Sequence, residues 1–130
     1  MPDLTAWAPR VLSLLRLISG LLFMQHGLMK HFDFPAPFPM AMGPMEPPMI
    51  AGWIEVLGGF LIAIGLFTRP AAFLASGTMA FAYFIGHAGK NFWPIINQGE
   101  LAIMFCFVFL YLAFAGGGSI SADNLLRKKA

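Results

Sequence analysis

Four stretches of the chain, residues 11–29, 48–67, 71–88 and 96–115, are almost wholly apolar, and the segments between them are rich in proline, glycine and charge. Each stretch approaches the ~20 residues that a helix rising ~1.5 Å per residue needs to cross ~30 Å of hydrocarbon. The pattern predicts an all-α fold: an integral membrane antiparallel four-helix bundle, built as a single transmembrane domain over residues 1–130. Prolines fall where helix donors lack partners anyway, with Pro47 and Pro48 before the second helix, Pro70 opening the third and Pro94 before the fourth. Gly20 and Gly27 on the first helix, and Gly52, Gly59 and Ala63 on the second, follow one face at helical spacing, which lets helices pack closely in lipid.

Composition agrees with this pattern. Hydrophobic residues make up 58% of the chain and charged ones 11%, against roughly 45–50% and about 25% in soluble domains. The first stretch follows Arg10 as a secretory signal would, but no small-x-small cleavage site follows and the segment runs on through Gln25, His26 and Lys30. It is therefore read as an uncleaved helix. Arg10, Arg69, Arg127, Lys128 and Lys129 fall at one end of a four-span arrangement and Lys30 and Lys90 at the other. The positive-inside tendency then places both termini in the cytoplasm of a bacterial-type inner membrane. Thr68-Arg69-Pro70 reads as a tight cytoplasmic turn, and the stretch 34–48 and loop 89–95 read as external. The net charge of +2 reflects basic ends, and no basic patch with interleaved aromatics points to a nucleic-acid partner. A single cysteine, Cys106, excludes an intramolecular disulfide or a cysteine-pair redox centre, so any redox chemistry must borrow its electron carrier.

Ionisable residues inside membrane spans are where function is sought first. Helical spacing puts Arg16, Gly20, Phe23, Gly27 and Lys30 along one stripe of the first helix, with His26 beside Lys30. Glu55 joins from the second helix, Tyr83, His87 and Lys90 from the third, and Asn97 and Glu100 from the fourth. His26, Lys30, Glu55, His87, Lys90, Asn97 and Glu100 are thus expected to converge in the outer half of the bundle. One reading makes them a structural staple, since acids near helix N-termini (Glu55, Glu100) and bases near C-termini (His26, Lys30, His87, Lys90) suit the helix dipoles. The other makes them a small outward pocket, with Glu55 or Glu100 as proton acceptor and His26 or His87 as proton shuttle or hydrogen-bond donor. Arg16 lies towards the cytoplasmic half, where it either snorkels past Arg10 to the headgroups, binds an anionic group or pairs inward.

The order of polar landmarks resembles the DoxX family of small four-helix membrane proteins. The run Arg16-x-x-x-Gly20-x-x-Phe23-x-x-His26-Gly27-x-x-Lys30 carries the resemblance, followed by Glu55-x-x-Gly58-Gly59 and Gly65-Leu66-x-Thr68-Arg69. His87, Asn91-Phe92, Asn97-Gln98-Gly99-Glu100 and a glycine-rich exit before Ser121 and Asp123 extend it over nearly the whole chain. The chain departs from the family at that exit, where a Gly-Pro-Gly-like turn is usual, and in its Met-rich outer loop. The resemblance implies a membrane subunit associated with a quinone-linked oxidoreductase, since the family takes its name from a subunit associated with thiosulfate:quinone oxidoreductase. It also implies that Glu55, His87, Asn97, Glu100, His26 and Lys30 form the family's polar core.

Three functions compete. In the first, the cluster holds a quinone headgroup beside Phe23, Phe92 and Trp93 and manages its protons, with a redox-enzyme subunit as partner. In the second, the protein is a non-catalytic small-molecule carrier, for which a homodimer would supply movable helices, or a scaffold for other membrane proteins. In the third, Met40, Met42 and Met45, followed by Met49, bind Cu(I) through soft thioethers on the outer loop. No nucleotide loop, nucleophile elbow or zinc-helix signature is present in the sequence.

Overall fold

The computed structural model describes residues 2–129, and all regular structure among them is helical. Six helices follow a 3-10 turn at Thr5–Trp7: α1 (Ala8–Phe32), α2 (Pro47–Ile64), α3 (Thr68–Gly86), a single turn α4 (Pro94–Asn97), α5 (Glu100–Ala115) and α6 (Ala122–Lys129). The side chain of Lys129, counted above with the basic end, lies outside the described residues.

Three boundaries differ from the hydropathy reading. The second stretch ends as helix at Ile64, because Gly65 and Phe67 adopt left-handed backbone (φ 75° and 50°). The turn is therefore 65–67, and Thr68-Arg69-Pro70 opens α3 instead of forming the turn. The fourth stretch is not one helix. Gln98 is left-handed (φ 61°), and the Asn97 side chain accepts from Gly99 N (2.8 Å), so a bend separates α4 from α5. The basic C-terminal tail is helical as α6.

Helices α1 and α2 pack along most of their length, as do α3 and α5, and α2 joins the two pairs through α3. Glycines set the first seam. A Cβ on Gly59 would lie 2.7 Å from Met24 N, and one on Gly20 2.9 Å from Gly59 O, so only glycine permits this backbone approach. Contacts step from Gly20 against Ala63 to Gly27 against Gly52, so the pair runs in opposite directions. The core between the pairs is aromatic and tightly layered: Phe23, Phe105 and Phe109 interleave at centroid distances of 4.8–5.6 Å, over Ile62, Ala72, Ala75 and Leu112. The outward faces are as apolar as the core. Leu57, Phe73, Phe81, Phe84, Phe107 and Phe114 are all largely exposed, a surface suited to lipid and not to water. Two helical segments, Thr5–Phe32 (28 residues) and Pro47–Ile64 (18 residues), are long and apolar enough to cross a membrane. Helix α3 is long enough but more polar, and α5 is apolar but has 16 residues.

Candidate functional site

The outer cluster forms around one ion pair. Lys30, in the last turns of α1, reaches Glu55 in the middle of α2, with Nζ to Oε1 at 2.6 Å. Both groups are shielded, Lys30 at 12% and Glu55 at 2% exposure. Glu55 stands about two turns inside α2, beyond the reach of the helix dipole, so the expected N-terminal stabilisation does not apply and Lys30 supplies the compensation. The pair leaves Glu55 Oε2 buried with no hydrogen-bond partner among the described residues.

That carboxylate lies on the wall of a cavity of about 390 Å³, within the ~300–1,000 Å³ range of small-molecule sites. Phe23 and Phe105 bound it on the core side, and His26, Lys30, Glu55 and His87 contribute its polar groups. Thr78, Met79, Ala82, Ala51, Pro47 and Pro48 complete much of the lining. Phe81, Ile85 and Leu101 also line it and are each more than half exposed, so one side gives onto the lipid-facing surface. His26 is half-buried, with its ring edge-on to Phe105 at 6.0 Å. His87 caps α3, and its Nδ1 lies 2.9 Å from the Asn97 carbonyl. A carbonyl only accepts, so Nδ1 is the donor in this bond.

Other expected members of the cluster do different work. Asn97 is buried, its Nδ2 donating to Tyr83 Oη (3.1 Å) and Asn91 O (2.9 Å) while Oδ1 accepts from Gly99 N. Its groups are engaged in shaping the α4–α5 bend, and it is absent from the cavity lining. Tyr83 serves the same bend, where a Cβ on Gly99 would lie 2.6 Å from its ring. Glu100 and Lys90 are exposed and stand outside the cavity; the convergence of seven groups reduces to four. Glu100 opens α5, where the helix dipole favours it. Sequence spacing also overlooked His31, whose Nε2 lies 2.8 Å from Met49 O and whose ring stacks on Trp53 at 3.9 Å.

Arg16 belongs to the opposite end. It is 4% exposed and turned inward, so snorkelling is excluded. Its guanidinium donates to the carbonyls of Gly117, Ile120 (2.9 Å) and Ala63 (3.3 Å). Ser13 Oγ joins it, donating to Gly117 O (3.1 Å) and accepting from Ile120 N (2.9 Å). Asp123 accepts from the N–H groups of Phe67 (2.8 Å) and Thr68 (3.0 Å), capping α3 from α6 across 55 residues of chain. Burial opposes the Asp123 charge, but these backbone donors, the adjacent Thr68 hydroxyl and Arg127 outweigh it and hold the carboxyl below the usual range. No local sequence signal marks a cap supplied from so far away.

On the outer loop, Met40 and Met45 are exposed and Met42 is half-buried. Among the described residues, no group of three or more His, Cys, Asp or Glu side chains is arranged to hold a metal ion.

Residues 11–88 match the DoxX family. The chain is similar to an uncharacterized protein of Haemophilus influenzae, 42% identical over 134 residues that cover 99% of this chain and 100% of that protein. It is also similar to the inner membrane protein YphA of Escherichia coli, 31% identical over 137 residues covering 94% of each. No solved structure matches it. With its lipid-suited surface and its two membrane-length helices, the protein is a membrane protein, and the chain belongs to the DoxX family.

Proposed function

We propose that α1, α2, α3 and α5 cross the inner membrane as an antiparallel four-helix bundle forming a single domain, with both termini cytoplasmic, and that the outer cavity holds a quinone headgroup for a redox-enzyme partner subunit. Arg10, Arg69, Arg127 and Lys128 gather at the end away from the cavity, in keeping with the positive-inside tendency. The observation that carries the ligand reading is Glu55 Oε2, a buried acceptor without a partner on the wall of a mostly apolar cavity. Buried polar atoms without a bond cost about 1–3 kcal/mol, and a bound hydroxyl or amide removes that cost.

The residues present suit such a headgroup. Quinone would supply an acceptor of two electrons and two protons, the electrons coming from the partner subunit. Lys30 Nζ can donate to a quinone carbonyl oxygen, and once two electrons and two protons have made the quinol, Glu55 Oε2 can accept a hydrogen bond from its new hydroxyl. His87, with Nδ1–H held by Asn97 O, offers Nε2 for proton exchange, and His26 lines the cavity with its ring perpendicular to that of Phe105. The open side along Phe81, Ile85 and Leu101 gives an apolar tail a way into lipid.

The test is to purify the protein from its native membranes in mild detergent and measure bound quinone and partner proteins by mass spectrometry. We expect about one quinone per site and its loss in Glu55→Gln. Wild-type protein free of quinone, or Glu55→Gln retaining it in full, overturns the assignment. Small-molecule flux in proteoliposomes would then favour the carrier, and a stable partner without flux the scaffold.

A further inference from the structure

The far end of the molecule carries a second recess, an open groove of about 840 Å³ that the quinone reading does not use. Two cations border it. Arg69 donates through Nη1 to the carbonyls of Ala113 (3.4 Å) and Phe114, which fixes its guanidinium at the end of α5. Its Nη2 lies over Gly116, where an added Cβ would come within 3.2 Å of it. Arg127 approaches from α6 and is exposed. The acid in the lining, Asp123, is already engaged by the Phe67 and Thr68 N–H groups, although it also attracts Arg127. Leu12, Tyr111 and Leu126 also line the groove and give it apolar walls.

Helix α6 repeats this two-sided character. Leu125 and Leu126 are 57% and 55% exposed beside Arg127 and Lys128, an arrangement suited to a helix lying in the headgroup layer. An apolar-walled groove bordered by two guanidinium groups, on a protein embedded in lipid, matches a ligand with an anionic head and a hydrocarbon tail.

We infer that this groove binds an anionic phospholipid, its phosphate held between Arg69 and Arg127 and an acyl chain laid along Leu12 and Tyr111. The bound lipid then joins α6 to the ends of α3 and α5 and seats α6 on the bilayer surface. The inference rests on the membrane embedding and not on quinone binding.

The experiment uses the full chain in neutral detergent, titrated with phosphatidylglycerol, with phosphatidylcholine of the same acyl chains, and with inorganic phosphate alone. Native mass spectrometry reads the retained lipid and a thermal scan reads stabilisation. Phosphatidylglycerol is expected to be retained and to raise Tm, while the other two do neither. A basic residue near an anionic surface contributes about 1 kcal/mol, so Arg127→Gln should weaken retention about five-fold, and Arg127→Lys should restore it. Equal retention of phosphatidylcholine, undiminished retention in Arg127→Gln, or the same stabilisation by inorganic phosphate overturns the inference. Quinone content in the outer cavity is measured on the same variants and should not change, so the two readings fail separately.

Discussion

The outer pair of Lys30 and Glu55 and the inner latch around Arg16 both place charge inside an apolar molecule, yet they do so differently. Arg16 faces backbone carbonyls: Nη1 and Nη2 bind three of them, Ser13 completes the set, and Arg16 itself is absent from the lining of the groove at that end. Glu55 faces one cation through one oxygen, and its other oxygen lies on a cavity wall. Among the described residues three buried side-chain atoms lack a hydrogen-bond partner, Arg16 Nε and Thr68 Oγ1 at the inner end and the carboxylate oxygen Glu55 Oε2 at the outer. Oε2 has room beside it for a donor from elsewhere. A buried charge enclosed by its own chain is architecture, and one that adjoins space is a candidate for binding.

The comparison breaks most sharply at Lys30. Lys30→Met leaves a buried carboxylate without its cation and should destabilise the protein by about 3–5 kcal/mol, read by thermal unfolding in detergent. Lys30→Met combined with Glu55→Leu should recover most of that loss, because two apolar side chains replace the pair, yet bind no quinone. If the double variant keeps its ligand, the pair is a staple and the cavity's specificity lies elsewhere.

At the inner end, Arg16→Met should cost about 3 kcal/mol, since charge-assisted bonds contribute about 1.5–3 kcal/mol each and the carbonyls of Gly117 and Ile120 lose their donor. Quinone retention in the surviving folded fraction should match wild type. Loss of quinone there without loss of stability would contradict the division of labour between the two ends.

A smaller effect concerns pH at Asp123. Its carboxyl is held below the ordinary range, so the stability it adds is complete above the unfolded aspartate value of about 3.9 and is lost as pH falls through the lower native value. Hydrogen exchange in α6 should accelerate across that acidic window in wild type. Asp123→Asn, which keeps a capping oxygen, should exchange at a rate independent of pH once intrinsic exchange is corrected.

The smallest structural effect is expected on the outer loop. Replacing Met40, Met42 and Met45 by Leu should leave stability within about 0.5 kcal/mol, as surface changes usually do. Cu(I) titration of the same variant tests the thioether site directly: unchanged affinity removes it.

Much of the helical layout was legible in residue order. Proline positions marked the starts of α2, α4 and the first turn of α3, and the bounds read from hydropathy fall within a few residues of α1, α2, α3 and α5. The break between α4 and α5 was not legible, because it depends on the Asn97 side chain meeting Gly99, Tyr83 and Asn91, while hydropathy averages over such contacts. Of the polar landmarks, His26, Lys30, Glu55 and His87 were brought to one cavity; Lys90, three residues beyond His87, and Glu100, at the start of α5, were not.

The sequence by itself determined that the protein belongs in a membrane and that its ionisable groups are few enough to matter individually, since both follow from composition and from periodicity along a helix. Only the tertiary structure decided which groups meet. Helical spacing fixes the face of a residue on its own helix, whereas the rotation and register of neighbouring helices are set by close packing, here at Gly20, Gly27, Gly52 and Gly59. That packing brings Lys30 to Glu55, and the long-range bonds of Arg16 and Asp123 fold the C-terminal segment back on the opposite end.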